Sequence, residues 1–165
     1  ARVPLFAAFT EPELQALAAD LVGCQFVEND IISRHGESAD CLYILAAGRV
    51  AIFGAGDQRA ARPKLAELSD PDYFGEMGLL TGQARTANVI ALGDVLCYRL
   101  DKEAFDAILQ ARPALVEALS QVVAARQAAN DKTLELSAEA RARQASNRAA
   151  ELVRRIRAFF DLMPP

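Results

Sequence analysis

The fold of this chain is decided by the stretch Phe74-Gly75-Glu76-Met77-Gly78-Leu79-Leu80, which is followed after a short gap by Arg85-Thr86-Ala87. Strand-type residues lead into Gly75, and residues 76–80 are suited to one short helical turn that Gly82 ends. The free backbone N–H groups at the start of such a turn attract anions. The stretch therefore predicts an anion site where a strand passes into a short helix.

Three side chains in this stretch carry the chemistry that we expect of the site. Glu76 offers a carboxylate that can accept two hydrogen bonds from neighbouring hydroxyls, as on a ribose. Arg85 supplies a planar fork of donors suited to phosphate oxygens. Thr86 adds a hydroxyl donor beside the arginine. Together they predict one pocket that holds a sugar and a phosphate.

The residues around this stretch, from about 24 to 99, are typical of a small antiparallel β structure. Short runs rich in Val, Ile, Tyr and Phe alternate with turn residues, which indicates a jelly roll or small barrel. The predicted strands are Cys24–Val27, Asp30–Ser33, Cys41–Ala46, Arg49–Phe53, Lys64–Leu68, Arg85–Ala91 and Val95–Arg99. Glycines separate several of these runs, and residues 54–63 read as an exposed hairpin loop.

Helical periodicity is found on both sides of the predicted strands. Thr10 and Glu13 form a capping box for a first helix, which we expect Gly23 to end. Helical spacing returns at Asp101, restarts after Pro113 and runs to about Asn130. A further amphipathic helix covers residues 145–160 and is rich in arginine. The predicted fold class is α+β, with an antiparallel jelly-roll barrel flanked by N-terminal and C-terminal helices.

Composition excludes several classes of protein. The formal net charge is −4, which argues against a chain whose main task is to grip nucleic acid. The three cysteines are far apart and there is a single histidine, His35, so neither a disulfide framework nor a metal site is expected. No catalytic motif is present, and we predict a protein that is not an enzyme. No apolar run is long enough to cross a membrane.

The 74–87 segment resembles the phosphate-binding cassette of the cyclic nucleotide-binding domain family. That family includes catabolite-activator-like regulators, protein kinase A regulatory subunits and cyclic-nucleotide-gated channels. The upstream run from Gly36 to Val50 is similar to the second signature of the family, two strands joined through a turn glycine. The helical start near Pro4 also resembles the first helix of the family, so the resemblance extends from residue 4 to about 130. We call residues 74–87 the cassette below.

The resemblance implies a role for each cassette residue. Glu76 would bind the ribose 2′-hydroxyl, and Arg85 would pair with the cyclic phosphate beside Thr86. The remaining cassette positions would line the pocket closely with small or backbone groups; they are Gly75, Met77, Gly78 and Ala87. Some channel-type members cover the base with an arginine of the long C-terminal helix, and spacing makes Arg126 the candidate. The implied ligand is cAMP or cGMP, and we favour cAMP.

Two readings of these residues compete. Arg85 and Glu76, taken singly, could be a surface arginine and its structural salt-bridge partner. Taken together with the glycines and the second signature, they favour ligand binding. His35 precedes a turn glycine without a partner motif, so we interpret it as a surface turn residue.

The arrangement predicts a sensor domain of a larger protein. We expect residues 1–132 to form the cyclic nucleotide-binding domain and residues 133–165 an Arg-rich helical extension. The chain begins at Ala1 without a methionine, so we expect a fragment. The unpaired cysteines favour a cytoplasmic domain, and an ion channel as effector would hold the parent protein in the cell membrane. The expected effector is a fused or partner domain, foremost a bacterial ion channel, because residues 149–160 resemble the tail of mechanosensitive-type channels that carry such a domain. A transcription factor cut before its DNA-binding domain and a kinase-type regulatory subunit are the alternatives.

Three readings of the extension remain open. Its arginines fit a solvated helix face, a contact with a partner domain or acidic membrane, or a contact with nucleic acid. We expect no nucleic-acid partner for this fragment, because the sequence after Asn130 does not resemble a helix-turn-helix. A homo-oligomer would assemble through the parent protein.

Overall fold

The computed structural model describes residues 3–55, 64–130 and 138–162, with the side chains of residues 130 and 138–144 left out of the description. A short 3-10 helix, Pro4–Phe6, precedes the regular elements. The helices are α1 (Glu11–Ala19), α2 (Glu76–Thr81), α3 (Lys102–Ala111), α4 (Leu115–Asn130) and α5 (Ala138–Phe159). The strands are β1 (Val22–Phe26), β2 (Ile31–Ser33), β3 (Cys41–Ala47), β4 (Arg49–Phe53), β5 (Lys64–Ser69), β6 (Asp72–Phe74), β7 (Asn88–Ala91) and β8 (Val95–Asp101).

The strands form two antiparallel sheets of four strands each. Their orders are β1-β8-β3-β6 and β2-β7-β4-β5. Apolar side chains from both sheets meet in one buried cluster between them, which includes Leu45, Val50, Phe74, Val89 and Cys97. Alternation of inward apolar and outward polar residues is what such a double sheet requires. The predicted α+β jelly roll with flanking helices is confirmed, and its strands are arranged as two hydrogen-bonded sheets.

A second and larger core lies among the helices. It joins the short helix α2, through Leu79 and Leu80, to the terminal helices. The α5 residues in this core are Leu152, Ile156 and Phe160, with Leu162 just beyond the helix. The apolar stripe predicted for the last helix therefore packs against the rest of the protein.

The first helix is capped as the sequence predicts. Glu13 Oε2 accepts a hydrogen bond from the Thr10 backbone N–H at 2.7 Å, which completes the capping box. The same carboxylate accepts two hydrogen bonds from Arg112, from Nη2 to Oε2 at 2.6 Å and from Nε to Oε1 at 2.9 Å. Arg112 Nη2 also donates to the Ala8 carbonyl at 2.9 Å. The start of α1 is thus fastened to the end of α3.

Two local predictions are wrong. The first helix ends at Ala19 rather than at Gly23, because Val22 and Gly23 already pair with β8. The strand predicted from Arg85 begins only at Asn88. Its first residues are diverted, since the Arg85 N–H donates to the Glu37 carbonyl and the Gly36 N–H donates to the Arg85 carbonyl. The predicted hairpin loop 54–63 lies mostly outside the described residues.

Candidate functional site

The start of α2 is shaped by Gly75. This residue has a φ of +87°, in the left-handed region that disfavours side chains, and it directly precedes the helix. A Cβ at this position would collide with Nη1 of Arg85 and come to 3.3 Å from the Cys41 carbonyl oxygen. Glycine is therefore required here both by the backbone angle and by the close approach of the arginine.

Arg85 lies across this glycine and is held by the protein backbone. Its Nη1 donates to the Cys41 carbonyl at 2.9 Å and to the Gly75 carbonyl at 3.2 Å. Its Nη2 donates to Cys41 Sγ at 2.9 Å, and its Cζ lies 5.8 Å from the centre of the Tyr43 ring. The guanidinium is half-buried, and no carboxylate pairs with it among the residues described. A cation held in this way is suited to an anionic ligand.

Glu76 is the first residue of α2 and is partly shielded from solvent. Burial raises the pKa of its carboxyl above 4.5, and the positive charge of Arg126 opposes that shift. The nearby Asp72 reinforces the rise in pKa, and Arg85 opposes it. The carboxyl is thus a desolvated acceptor, close to two arginines, of the kind that binds hydroxyl groups well.

Arg126 reaches the site from α4. Its Nη1 donates to Asp72 Oδ1 at 2.8 Å, and its Cζ lies 4.0 Å from the centre of the Tyr73 ring. Only 19% of its side chain is exposed. A cleft of about 510 Å³ opens here, and its lining residues are Pro4, Leu68, Asp72, Tyr73, Val122, Ala125 and Arg126. The predicted base-covering arginine therefore lines a cleft next to the cassette, in an ion pair that the sequence reading did not anticipate.

The other predicted residues occupy different environments. Gly78 is buried, and a Cβ there would collide with the Ala39 side chain. Met77 is half-buried, and its Sδ accepts a hydrogen bond from Gln127 Nε2 at 3.0 Å. Ala87 is half-buried, and Thr86 is exposed beside the arginine. The structure thus brings Gly75, Glu76 and Arg85 together most closely.

Several neighbours of the site were missed by reasoning on the sequence. Cys41 and Tyr43 of β3 hold Arg85, and the Tyr43 ring stacks on Phe74 at 5.3 Å between centroids. Asp72 and Tyr73 hold Arg126. The Asp72-Tyr73 pair directly precedes the cassette, and this adjacency was a usable signal. No sequence pattern indicates that Cys41 contacts Arg85, because this contact depends on the pairing of β3 with β6.

The described parts of the chain lack two other kinds of feature. No group of three or more potential metal ligands is found in residues 3–55, 64–130 and 138–162. Over the same ranges, no helix has the length and apolar character needed to cross a bilayer. The three cysteines, all in described positions, are free thiols.

Comparison with known proteins assigns the family. The model of the cyclic nucleotide-binding domain matches residues 24–112, which is more than half of the chain and includes the whole cassette. The chain belongs to the cyclic nucleotide-binding domain family. It is a regulatory domain of that family, and the resemblance noted in the sequence is confirmed.

Three similar proteins place this domain in different contexts. An uncharacterized NTE family protein of Mycobacterium tuberculosis is 33% identical over 123 residues, which cover 74% of this chain and 20% of that protein. A cAMP-dependent protein kinase regulatory subunit of Dictyostelium discoideum is 34% identical over 97 residues, covering 57% of this chain and 29% of that subunit. The crystal structure of the N-terminal domain of a transcriptional regulator from Streptomyces coelicolor A3(2) aligns with a TM-score of 0.64 and 27% identity, covering 82% of this chain and 96% of that one. The chain spans less than a third of either curated relative.

Proposed function

We propose that this domain binds a cyclic nucleotide, with cAMP preferred over cGMP, and passes the signal to an effector in the same protein or a partner. The observation that carries the proposal is the guanidinium of Arg85, which is held by the Cys41 and Gly75 carbonyls at the start of α2. An arginine fixed beside the free N–H groups of a helix start is suited to a phosphate.

Each part of the ligand has a proposed partner. Arg85 and Thr86 receive the cyclic phosphate, and Glu76 accepts hydrogen bonds from the ribose. The pocket wall is formed by Gly75, Met77, Gly78 and Ala87. The base enters the cleft beside Tyr73 and Arg126, where an aromatic ring and a guanidinium plane suit stacking. The preference for cAMP is supported by kinase regulatory subunits among the relatives, which are described as cAMP-dependent.

Isothermal titration calorimetry of the full chain with cAMP and with cGMP tests the proposal. We expect Arg85→Ala to weaken cAMP binding about 10-fold to 100-fold, because a charge-assisted hydrogen bond to the phosphate is lost. Arg49→Ala is the matched control, since Arg49 is exposed and forms an ion pair with Glu67 of β5, the edge strand of its sheet. Unchanged affinity of the Arg85→Ala variant would exclude the phosphate role.

Arg126→Ala provides the second comparison in the same titration. We expect a smaller loss of affinity than for Arg85→Ala, because part of the role of Arg126 is its ion pair with Asp72. A larger loss at Arg126 would mean that the base contact, rather than the phosphate contact, dominates binding.

The effector is proposed from sequence and comparison together. Residues 1–132 form the ligand-binding unit in this proposal, and residues 133–165 form an extension that carries the signal onward. The ion channel predicted from the C-terminal sequence stays a prediction, and sequencing of the parent gene beyond this chain tests it. Membrane-spanning segments in the parent would support it.

A transcription regulator is the second candidate for the parent protein. It is favoured by the solved N-terminal domain from Streptomyces coelicolor, 96% of which aligns with this chain. A helix-turn-helix sequence in the parent, together with binding of DNA by the full protein, would favour this candidate over the channel.

A further inference from the structure

The C-terminal helix α5 lies outside the residues that match the family model, yet it contacts the cassette directly. Arg155 Nη2 donates to Thr81 Oγ1 at 3.1 Å and to Gln83 Oε1 at 2.9 Å. Thr81 is the last residue of α2, and Gln83 lies two residues beyond it. Arg155 therefore joins α5 to the far end of the helix that begins with Glu76.

The contact continues through α2 as a chain of hydrogen bonds. Thr81 Oγ1, which accepts from Arg155, itself donates to the Met77 carbonyl at 2.6 Å. Met77 is the neighbour of Glu76 at the start of the helix. Because α2 has only six residues, it spans about 9 Å. Backbone hydrogen bonds from the Leu79 N–H to the Gly75 carbonyl and from the Gly82 N–H to the Gly78 carbonyl join its two ends to its middle. We therefore expect a displacement at Thr81 to change the position of Glu76.

Phe159 forms the apolar half of the same contact. Its ring lies so close to Gly82 that a Cβ on that glycine would overlap the ring. Lys102 also contacts this ring, with its Nζ 4.4 Å from the ring centre. Gly82 has a φ of +65°, so both its backbone and its neighbour require glycine.

The end of α5 is anchored independently of the cassette. Gln110 Nε2 donates to the Phe160 carbonyl at 2.7 Å, and Arg157 pairs with Glu117 of α4 at 2.7 Å. Phe160 itself is buried in the helical core. Arg155 and Phe159 thus project onto the cassette from a helix that α3 and α4 already hold in place.

We propose that Arg155 and Phe159 are positioning residues for the ligand site, which set the place of α2 and couple ligand binding to the docking of α5. The proposal deepens the proposed function and rests on it. Since coupling between two equilibria is reciprocal, a ligand that favours this placement of α2 also stabilises the docked α5 by the same factor. The extension is then the element through which the occupied site is sensed.

The test compares Arg155→Ala with Arg154→Ala in the full chain. Arg154 is the matched control, because it is adjacent on the same helix, 76% exposed and paired with Glu151. We expect Arg155→Ala to weaken cAMP binding about fivefold or more, and Arg154→Ala to leave it unchanged. Hydrogen exchange should also show that cAMP protects the amides of residues 145–159 in the control and protects them less in Arg155→Ala.

A second variant breaks the same contact from the cassette side. Gln83 is exposed, so Gln83→Ala leaves the core intact. In a double-mutant cycle, the combined loss of affinity in Gln83→Ala with Arg155→Ala should be smaller than the product of the two single losses. Independent, multiplicative losses, or equal affinities for the Arg155→Ala and Arg154→Ala variants, would overturn the coupling.

Failure of the proposed function is separable from failure of this inference. If the wild-type chain binds neither cAMP nor cGMP, the proposed function fails. Hydrogen exchange of the protein without ligand then tests whether Arg155 positions α2. Faster exchange of residues 76–81 in Arg155→Ala than in Arg154→Ala would support positioning of α2, and equal exchange would reject it.

Discussion

At the scale of single residues, Glu76, the proposed ribose-binding group, lies where its charge is unfavourable to folding. Its carboxyl is shielded from water, and the shielding raises its pKa above 4.5. The folded protein therefore binds a proton at this site more readily than the unfolded chain does. Ionisation at neutral pH is unfavourable to folding, because the charged form is better solvated in the unfolded chain.

We predict that Glu76→Gln stabilises the fold at neutral pH and removes nucleotide binding. The amide has a similar shape and carries no charge, so the cost of removing a charged group from water is absent. The gain in free energy of unfolding over wild type should shrink as the pH falls through the raised pKa, and vanish below pH 4.5, where the carboxyl is neutral in both states. Urea unfolding at several pH values measures this, and equal stability at neutral pH would contradict it.

The residue types of the site could be predicted from the sequence, whereas their supports could not. Gly75, Glu76 and Arg85 are marked by their spacing, since each lies in one continuous segment. Apart from the Gly75 carbonyl, the groups that hold Arg85 come from β3, and the groups that hold Arg126 come from β6. Such partners depend on strand pairing between distant segments, and spacing within one segment carries no information about them.

At the scale of elements, boundaries follow from competition for backbone hydrogen bonds. The helical pattern and the capping box place the start of α1 correctly, because both are local. Strand β7 begins at Asn88 and is shorter than predicted, because the Arg85 backbone forms hydrogen bonds with Gly36 and Glu37 instead. Local patterns therefore predict where α1 begins, whereas tertiary pairing decides where α1 ends and where β7 begins.

Substitution of Arg112 measures how much one contact between two helices contributes to the free energy of unfolding. It fastens α1 to the end of α3 through two hydrogen bonds to Glu13 and one to the Ala8 carbonyl. We predict that Arg112→Ala lowers the free energy of unfolding by about 1–2 kcal/mol, since charge-assisted hydrogen bonds are lost. Chemical denaturation measures the change.

The control for Arg112 is Arg34→Ala. Arg34 is 57% exposed and pairs with Glu37 only three residues away. Exposed pairs of this kind contribute about 0–1 kcal/mol. An equal effect of the two substitutions would show that the link between α1 and α3 adds nothing beyond a surface ion pair.

At the scale of the whole molecule, the helical core unites both ends of the chain with the cassette. Leu5 near the start, Leu79 in α2 and Ile156 in α5 all belong to one buried cluster. The sequence predicts the apolar stripe of α5 but not the surface that receives it. That surface is built jointly by α2, α3 and α4, so it exists only in the folded protein.

We predict that Ile156→Ala lowers the free energy of unfolding of the full chain by about 2–5 kcal/mol, because Ile156 is fully buried and its loss leaves a cavity. The unfolding transition should remain single, since α5 shares its core with the cassette. Thermal and urea unfolding followed by circular dichroism measure both properties.

Val27→Ala is the control for this substitution. Val27 is 61% exposed, and exposed substitutions usually change stability by less than about 0.5 kcal/mol. If Ile156→Ala had as small an effect as Val27→Ala, α5 would not belong to the cooperative unit.

The arginine of the cassette owes its place to contacts within the protein, which has a consequence for the entropy of binding. Arg85 is fixed by two carbonyls and a sulfur atom, so its rotamers are restricted when the chain folds. Ordering a long side chain at an interface costs about 0.5–1.5 kcal/mol when it happens on binding. A ligand that meets Arg85 is spared most of that loss, whereas a lysine at position 85, with its flexible stem, would still have to be ordered.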